Sequence, residues 1–343
     1  MKTSELDYQL PEELIAQDPI EKRDNSRLML VHRETGKIEH KTFKDLLQFL
    51  KPDDLLVRND TRVIPARLFG KKIKTGGKVE ALLLKKYSSD IWECLLKSSG
   101  HINQGTQILF DDNLDGTILE LFPDGRKIIK FSSSDQVENR IEKIGVIPLP
   151  PYIHHPLKDP ERYQTIYSKY KGAVASPTAG LHFSEELMSE ITRRGIQVEN
   201  VTLHISLDTF RPIKVETIHE HKLFSEYCVV KPETAVAITK AKRDGRRIVA
   251  VGTTTTRVLE SVSELTPDGP VVHAFDGWAD LFITPGYEFK IVDMLITNFH
   301  LPRSTLILLV GAFSGLDLIK HAYQVAIENK YRFYSFGDVM LII

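Results

Sequence analysis

The feature that most restricts the possible fold is a change of hydrophobic period in the first half of the chain. From about Arg62 to Phe131, short β-like runs such as "KVEALLLKKYS", "TQILFDD" and "RKIIKFSS" follow one another, separated by Gly, Asp, Asn and Pro. Closely spaced strands without intervening helices are typical of a small antiparallel barrel or sandwich. The next segment, "DQVENRIEKIG", is interpreted as a helix that closes this unit.

The sequence on both sides of this region alternates between helical and strand-like patterns. Helices are predicted at "PEELIAQDPI", "TFKDLLQFLKP", "SEELMSEITRRG", "PETAVAITKAKRDG", "TTRVLESVSEL", "STLILLVGAF" and "DLIKHAYQVAIENKYR", and strands at "DLLVRND", "VENVTLHI", "RRIVAVG" and "GDVMLII". The Pro-rich stretch "VIPLPPYIHHPLKDP" is interpreted as a linker. The predicted fold is a mixed α/β domain built from both chain ends, residues 1–62 and 147–343, with a small antiparallel β-barrel domain inserted at residues 63–146.

Length and charge agree with two domains and exclude some functions. A chain of 343 residues is too long for one typical core. The 45 Lys and Arg residues balance 46 Asp and Glu residues, so nucleic acid could be bound only by a local basic patch. Cys94 and Cys228 are far apart and form no CxxC pair, which disfavours a zinc ribbon or a disulfide framework.

The ends of the chain and its apolar runs bear on localisation. The start "MKTSELDYQLPEEL" has no apolar signal-peptide core. The longest apolar run, "LILLVGAF", is too short to span a bilayer. We therefore expect a cytoplasmic protein that makes no contact with membranes.

Two polar clusters near predicted element ends are candidate sites, because α/β proteins build their sites there. In "NDTRVIPAR", Asp60 and Arg62 could position a ligand or form a salt bridge between the domains. In "SPTAGLHFSEE", small residues lead to His182, Phe183 and the helix cap Ser184. The helix start could hold an anion, and His182 could act as a base or an orienting donor. The alternative is an ordinary N-cap beside a half-buried histidine.

A third cluster, "VGTTTTRVLES", places four threonines between a strand and a helix that carries Arg257. Hydroxyls and amides at a helix start suit a carboxylate or a single phosphate, and Thr253 and Thr254 are the candidate ligands. The P-loop pattern GxxxxGK[ST] is absent. A threonine-rich cap without a ligand is the alternative.

The fourth cluster, "TNFHLPRST", contains Asn298, Phe299, His300 and Arg303 just before an apolar helix. Ser304 is the predicted N-cap of that helix. Capping requires one hydroxyl and does not explain the amide, the imidazole and the guanidinium beside it. The segment "HEHK" has no third ligand at metal spacing, so no metal site is predicted.

Together these clusters resemble one family. In chain order, the segments "DYQLPEELIAQDPIEKRDNSRLML", "NDTRVIPARL", "SPTAGLHF", "VGTTTTRVLES", "PGYEFKIVDMLITNFHLPRSTL" and "AYQVAIENKYRFYSFGDVMLI" are similar to the S-adenosylmethionine:tRNA ribosyltransferase-isomerase family of queuosine biosynthesis. The resemblance covers nearly the whole chain and implies a fold like the one predicted above.

The resemblance also implies an activity. The family transfers and isomerises the ribosyl moiety of S-adenosylmethionine onto 7-aminomethyl-7-deazaguanine in tRNA. The products are epoxyqueuosine-tRNA, adenine and methionine. S-adenosylmethionine is then a consumed co-substrate, tRNA bearing the modified base is the partner, and no metal or other cofactor is expected.

That reaction suggests roles for the candidate residues. A base must remove a proton beside the sulfonium, and His182 or His300 is assigned to this proton transfer. Thr253, Thr254 and Arg257 are assigned to the methionine carboxylate or a tRNA phosphate. The other candidates are Asp60 and Arg62 for the ribose or the deazaguanine edge, Phe183 or Phe299 as an aromatic face for the sulfonium, and His204 and Asn298 as further substrate-binding residues.

Two stretches depart from the family pattern. Relatives usually have glycines where "HISLDTF" has Ser206 and Asp208, and a histidine where "LFSE" has Phe224. Ser176 replaces a usual alanine. Asp tolerates positive φ, so the loop backbone can survive, whereas the new carboxylate could alter substrate binding. The alternatives are therefore an enzyme with a retuned acceptor and a catalytically altered or inactive relative that binds tRNA or S-adenosylmethionine. We expect a monomer.

Overall fold

A computed structural model describes residues 1–206, 212–221, 223 and 225–343. The departures at Asp208 and Phe224 therefore lie outside the described residues. The strands are β1 (Arg27–Val31), β2 (Ile38–Thr42), β3 (Leu55–Asn59), β4 (Thr61–Val63), β5 (Arg67–Lys72), β6 (Lys78–Lys86), β7 (Ile91–Ser98), β8 (Gln107–Asp111), β9 (Leu114–Leu121), β10 (Arg126–Ser133), β11 (Tyr170–Ala173), β12 (Gln197–Leu203), β13 (Glu226–Val230), β14 (Ile248–Val251), β15 (Ser263–Thr266), β16 (Gly269–Val272), β17 (Phe275–Ala279), β18 (Met294–Asn298) and β19 (Val339–Ile342).

The helices in the described part of the chain are of two kinds, α-helices and short 3₁₀-helices. The α-helices are α1 (Val137–Ile144), α2 (Glu185–Arg193), α3 (Pro232–Arg243), α4 (Thr253–Ser261), α5 (Thr305–Ser314) and α6 (Leu316–Glu328). Short 3₁₀-helices occupy Thr3–Leu6, Glu12–Leu14, Arg23–Asn25, Phe43–Gln48, Pro160–Tyr163, Thr178–His182 and Ile218–Glu220.

The chain forms two compact units. The larger unit contains Met1–Arg62, Pro151–Lys171 and Ser176–Ile343, and the smaller contains Val63–Pro150 and Gly172–Ala175. The larger is mixed α/β and the smaller contains a closed antiparallel barrel. The predicted fold class is therefore confirmed.

The larger unit is organised by a nine-stranded sheet with the order β17-β13-β12-β3-β14-β18-β19-β1-β2. The four central strands β12, β3, β14 and β18 are parallel neighbours. β19 runs antiparallel to β18, and β1 runs parallel to β19. The carboxyl ends of the four parallel strands thus meet the amino ends of β19 and β1 at one edge, which we call the carboxyl edge. Residues at or beside this edge are Ser26, Asn59, His204, Gly252, Asn298 and Asp338.

Three neighbouring strands near the middle of the sheet are buried on both faces, as expected for strands covered by other elements. Every residue of β14, β18 and β19 is buried. One face packs against α2 and the 3₁₀-helix Phe43–Gln48 in a single apolar cluster. These strands therefore form a rigid platform, and their ends hold side chains in defined positions.

Two predicted helices form only 3₁₀ turns. "PEELIAQDPI" contains Glu12–Leu14, and "TFKDLLQFLKP" contains Phe43–Gln48. In the second, Phe43 and Leu46 are the buried residues. Because side chains three apart align in a 3₁₀-helix, this conformation turns both towards the core. The strand β18 was not predicted, since its apolar residues run into the polar segment that precedes α5.

The smaller unit is a closed antiparallel barrel with the strand order β10-β7-β6-β5-β8-β9. Val79, Ala81 and Leu83 alternate along β6 and are buried. A Cβ added at Gly116 would lie 2.6 Å from Ile129 Cδ1, so a larger residue there would require the Ile129 side chain to move. The helix that was expected to close the unit is α1, which packs against β10 through the buried Ile141.

In the described part of the chain, no single helix is both long and apolar enough to cross a membrane. The pair α5 and α6 reaches the required length and composition only together, and the two helices are bent by 113°.

Candidate functional site

A small recess lies at the carboxyl edge, within the larger unit. Its cavity volume is about 40 Å³, which is room for a few water molecules. It is lined by Tyr152, Ser176, Pro177, Thr178, Ala179, Ile205, Gly252, Thr253, Thr254, Thr297, Asn298, Phe299, His300, Leu301, Leu306, Tyr334 and Ser335. The recess thus brings together parts of the third and fourth polar clusters with the segment that precedes His182.

His182 lies behind the recess at the end of the 3₁₀-helix Thr178–His182. Its Nδ1 is 2.7 Å from Ser26 Oγ, and its Nε2 is 3.2 Å from Asn298 Nδ2. Since an amide nitrogen donates, Nε2 accepts and the ring proton is assigned to Nδ1. Burial, reinforced by the charges of Arg332 and Arg23, lowers the pKa of His182 to about 3. The ring is therefore neutral near pH 7.

Asn298, the last residue of β18, links this histidine to the recess wall. Its Oδ1 accepts a hydrogen bond from Thr178 Oγ1 at 2.9 Å, which fixes the orientation of the amide. Its Nδ2 also lies 3.3 Å from the carbonyl oxygen of Tyr334. Tyr334 has a φ of 69°, an unfavourable conformation for an aromatic residue. Strain of this kind tends to occur at functional sites, and here it presents a carbonyl group to Asn298.

His300 lines the recess directly. Its Nε2 is 2.7 Å from Thr297 Oγ1, and its backbone N–H donates to the Tyr323 hydroxyl at 2.9 Å. The Tyr8 hydroxyl donates to its carbonyl oxygen. Desolvation by burial lowers the pKa of His300 to about 3. Among the described residues, Nδ1 has no hydrogen-bond partner, so this nitrogen is available to a molecule in the recess.

The start of α4 forms another wall. Its N-cap is Gly252, whose φ of 91° lies in the region that favours glycine. The Thr255 and Thr256 hydroxyls bond back to the carbonyls of Val251 and Gly252 at 2.7 and 3.2 Å. No described side chain caps this helix. Its first amides therefore remain available for an anion.

Ser176 adds a hydroxyl to the same recess. The residue is buried, and among the described residues its Oγ has no hydrogen-bond partner. A buried hydroxyl without a partner is unfavourable, so a water molecule or a ligand group would satisfy it.

Asp60 and Arg62 do not line the recess and are held by other partners. Asp60 is buried and accepts a 2.6 Å hydrogen bond from Thr202 Oγ1. Burial raises the pKa of the Asp60 carboxyl above its ordinary value. Arg62 forms an ion pair with Glu161 and donates to Ser168 Oγ at 2.9 Å. The two side chains therefore sit in separate networks.

Arg257 is also not among the residues that line the recess. Its Nη1 donates to Glu226 Oε2 at 2.6 Å in a buried ion pair. The other carboxylate oxygen, Oε1, accepts from the Ser206 backbone N–H at 2.8 Å. Arg257 Nε and Nη2 are buried and have no hydrogen-bond partner in the described part of the chain. The guanidinium is thus held by Glu226 on β13, and its Nε and Nη2 atoms make no hydrogen bond to the described residues.

His204 follows β12 and lies on a different part of the carboxyl edge. Its Nδ1 is 2.8 Å from Thr61 Oγ1, and its ring stacks on Tyr227 at a centroid distance of 6.0 Å. Desolvation lowers the pKa of His204. This histidine belongs to an aromatic surface rather than to the recess.

The two candidate aromatic faces are fully buried. The Phe183 ring packs against Phe43 at a centroid distance of 4.9 Å. The Phe299 ring packs against Phe333 at the same distance. Both side chains have zero exposure, so neither ring presents a free face in this conformation.

Sequence reasoning did not select several residues that organise the site. Asn59 binds the backbone of the next strand, because its Oδ1 accepts from Leu203 N–H at 3.0 Å and its Nδ2 donates to Leu203 O at 3.0 Å. The position of Asn59 at the end of a predicted strand, next to Asp60, is the sequence feature that could have indicated this role. Ser26 and Tyr334 lie far from the polar clusters along the chain, and nothing in their local sequence indicates a role.

Within the described ranges, no group of three or more His, Cys, Asp or Glu side chains is placed to hold a metal ion. In "HEHK", the His221 ring packs near Phe282 at a centroid distance of 5.6 Å.

Comparison with known proteins gives consistent matches along the chain. The family model described as "Queuosine biosynthesis protein" matches residues 3–342. A protein of Acetivibrio thermocellus named S-adenosylmethionine:tRNA ribosyltransferase-isomerase is 50% identical, with 100% of both chains covered. A protein of the same name from Symbiobacterium thermophilum is 51% identical, again with 100% of both chains covered.

A solved structure is also similar. It is a crystal structure of an S-adenosylmethionine tRNA ribosyltransferase from Thermotoga maritima, which is 39% identical. The similarity covers 99% of this chain and 100% of that chain, with a TM-score of 0.56.

Proposed function

This chain belongs to the queuosine biosynthesis protein family, and from that premise we propose that it is an S-adenosylmethionine:tRNA ribosyltransferase-isomerase. The observation that carries the proposal is the 50% identity, end to end in both chains, to an enzyme of that name. The reaction transfers and isomerises the ribosyl moiety of S-adenosylmethionine onto 7-aminomethyl-7-deazaguanine in tRNA. It yields epoxyqueuosine-tRNA, adenine and methionine.

The recess supports a role for His300 in proton transfer. His300 lines the recess, and its Nδ1 has no hydrogen-bond partner among the described residues, whereas Nε2 of His182 already accepts from Asn298. His300 is neutral near pH 7, as a proton acceptor must be, and because burial lowers its pKa, the bound substrate must stabilise the imidazolium for the transfer to proceed. We therefore assign proton transfer to His300. His182 is a positioning residue that holds the Asn298 amide.

The uncapped start of α4 supports an anion site for the methionine carboxylate. Thr253 and Thr254 line the recess beside the buried Ser176 hydroxyl. Backbone amides at a helix start favour a carboxylate by direct hydrogen bonds and by the helix dipole. Arg257 contributes the charge behind this site, although its Nη1 is engaged by Glu226.

The remaining candidates are proposed to contact the rest of the substrates, and of these Asp60, Arg62 and Phe183 lie outside the recess lining. The recess takes up only a small group, because its volume is about 40 Å³. Asp60 and Arg62 then meet the ribose or the deazaguanine edge. Phe183 and Phe299 would reach the sulfonium only after a change in side-chain packing. We propose that the enzyme acts as a cytoplasmic monomer and needs no cofactor, with S-adenosylmethionine consumed as a co-substrate.

The test measures adenine release from S-adenosylmethionine in the presence of EDTA, with and without tRNA that carries 7-aminomethyl-7-deazaguanine. Nucleosides of the tRNA are then analysed. We expect adenine release that requires the modified tRNA, and formation of epoxyqueuosine. Folded protein that yields neither product would contradict the proposal. It would favour the alternative of an altered or inactive relative that binds tRNA or S-adenosylmethionine.

A further inference from the structure

We propose that a strip of aromatic side chains on the larger unit binds single-stranded nucleotides of the tRNA anticodon loop by stacking. The aromatic strip consists of Tyr170, His204, Tyr227 and Trp278. The identity of the RNA rests on the proposed function. The strip goes beyond that function, because it states which part of the protein surface contacts the RNA.

The strip is continuous at its outer end. Trp278 on β17 is the register partner of Tyr227 on β13, and the two ring centroids are 5.5 Å apart. Tyr227 in turn stacks on His204 with an interplanar angle of 12°. The Trp278 side chain is 47% exposed. Large exposed aromatic surface on a folded protein commonly marks a binding site.

Tyr170 lies beside His204, because its carbonyl oxygen is 3.4 Å from Thr61 Oγ1, the hydroxyl that also contacts His204 Nδ1. Lysine side chains flank Tyr170. Lys231 Nζ donates to the Tyr170 hydroxyl at 3.0 Å. The Nζ atoms of Lys169 and Lys231 lie 5.3 and 5.4 Å from the centroid of the Tyr170 ring. Both lysines are exposed, and neither forms an ion pair with a described carboxylate. The acidic residue Asp276 lies beside the strip and accepts a hydrogen bond from the Tyr227 hydroxyl.

A short chain of contacts joins the strip to the recess. His204 Nδ1 is 2.8 Å from Thr61 Oγ1, and the Thr61 backbone N–H donates to Asn59 Oδ1 at 3.1 Å. Asn59 Nδ2 lies 3.5 Å from the Oγ1 of Thr254, which lines the recess. A nucleotide whose neighbours stack on the strip would therefore lie close to the recess.

The combination of rings and lysines favours single-stranded RNA over a protein partner. Sites for single-stranded nucleic acid combine aromatic platforms for bases with basic side chains for phosphates. The apolar core of a protein–protein interface is depleted in lysine. The lysines around Tyr170 therefore fit a phosphate backbone, and the exposed Trp278 fits an unstacked base. Since the net charge of the whole chain is only −1, such a local patch must supply the attraction.

The experiment measures binding of an anticodon stem-loop RNA bearing 7-aminomethyl-7-deazaguanine to the full-length protein by fluorescence anisotropy. We expect Trp278→Ala to weaken binding about tenfold or more, and Trp278→Phe to restore most of it. Lys231→Ala should reduce the slope of log affinity against log salt by about 0.7. Phe69→Ala is the matched control, because Phe69 is a 56% exposed aromatic residue on the barrel. It should bind like the parent.

Several outcomes would overturn the proposal. One is equal RNA affinity of Trp278→Ala and the parent in folded samples. Another is a change of oligomeric state on sedimentation with RNA affinity unchanged, which would assign the strip to contacts between protein copies. Adenine release is recorded on the same samples. A parent that binds RNA through Trp278 but releases no adenine would refute the proposed function and leave the strip intact.

Discussion

At the residue scale, His182 and His300 differ in position, because His300 lines the recess and His182 lies behind it. His182 uses both ring nitrogens for protein contacts, to Ser26 and to Asn298. His300 lines the recess and uses Nε2 for Thr297, while its Nδ1 has no hydrogen-bond partner among the described residues. A histidine whose two ring nitrogens both contact protein atoms holds its neighbours in position. A histidine with one ring nitrogen unbonded can exchange a proton with a substrate. This difference makes His300 the sharper target for mutation.

We expect His300→Ala to lower kcat by at least about a hundredfold, because positioned proton transfer contributes that much or more. The free energy of unfolding should fall by only about 1–3 kcal/mol, since the ring makes one side-chain hydrogen bond. Steady-state kinetics and urea denaturation measure the two effects. His40→Ala is the control, because His40 bonds to the Tyr331 hydroxyl away from the recess. If His300→Ala lost activity only in proportion to its stability, the residue would be structural.

At the element scale, the start of α4 depends on one glycine. A Cβ at Gly252 would meet Ala179 Cβ at 3.7 Å, which is ordinary contact, so the cost of a side chain comes from the φ of 91°. The turn enforced by Gly252 aims the first amides of α4 into the recess. Loss of that geometry should affect both folding and anion binding.

Gly252→Ala should therefore lower the free energy of unfolding by about 1–3 kcal/mol and raise the KM for S-adenosylmethionine several-fold. Gly245→Ala is a matched control, because Gly245 has a φ of 73° and no neighbouring atom within 4 Å of an added Cβ. The control should lose stability and keep its KM. An unchanged KM in Gly252→Ala would place the methionine carboxylate elsewhere.

At the scale of the whole molecule, two neutral histidines in the interior make stability depend on pH. The pKa of His182 and of His300 is lowered to about 3 in the folded state, from an ordinary value of 6.5. Between those values the unfolded chain binds protons that the folded chain does not. Stability is therefore complete above about pH 6.5 and is lost as the pH falls towards 3.

Each histidine should contribute a slope of about 1.4 kcal/mol per pH unit in this window. We expect the free energy of unfolding of His300→Gln to fall less steeply than that of the parent, by about 1 kcal/mol per unit between pH 6 and pH 5. Urea denaturation at several pH values measures this. If the free energy of unfolding fell equally steeply with pH in the two proteins, the His300 ring would be protonated in the folded state as readily as in the unfolded state.

Much of the fold followed from local patterns in the sequence. The alternation of short apolar runs predicted the barrel, because a strand repeats its faces every two residues. Ser184 and Ser304 were predicted as helix caps, and each accepts a hydrogen bond from a backbone N–H three residues on, at 3.1 and 3.3 Å. Such features depend on neighbours in the chain, so the sequence displays them directly. The 3₁₀ turns were missed because tertiary packing, rather than propensity, selected them.

The polar clusters were visible in the sequence as well, but their grouping was decided by the order of the strands. His182 and Asn298 are 116 residues apart and meet because β18 ends beside the segment that carries the histidine. Arg257 was grouped with Thr253 by sequence proximity, and the two lie four residues apart on one face of α4, yet the Arg257 guanidinium pairs with Glu226 on β13. The sequence by itself determined which side chains are available and which elements carry them. Only the tertiary structure decided which of them share a recess, because strand pairing brings distant residues together, and partners on other strands, such as Glu226 for Arg257, draw neighbouring side chains into separate contacts.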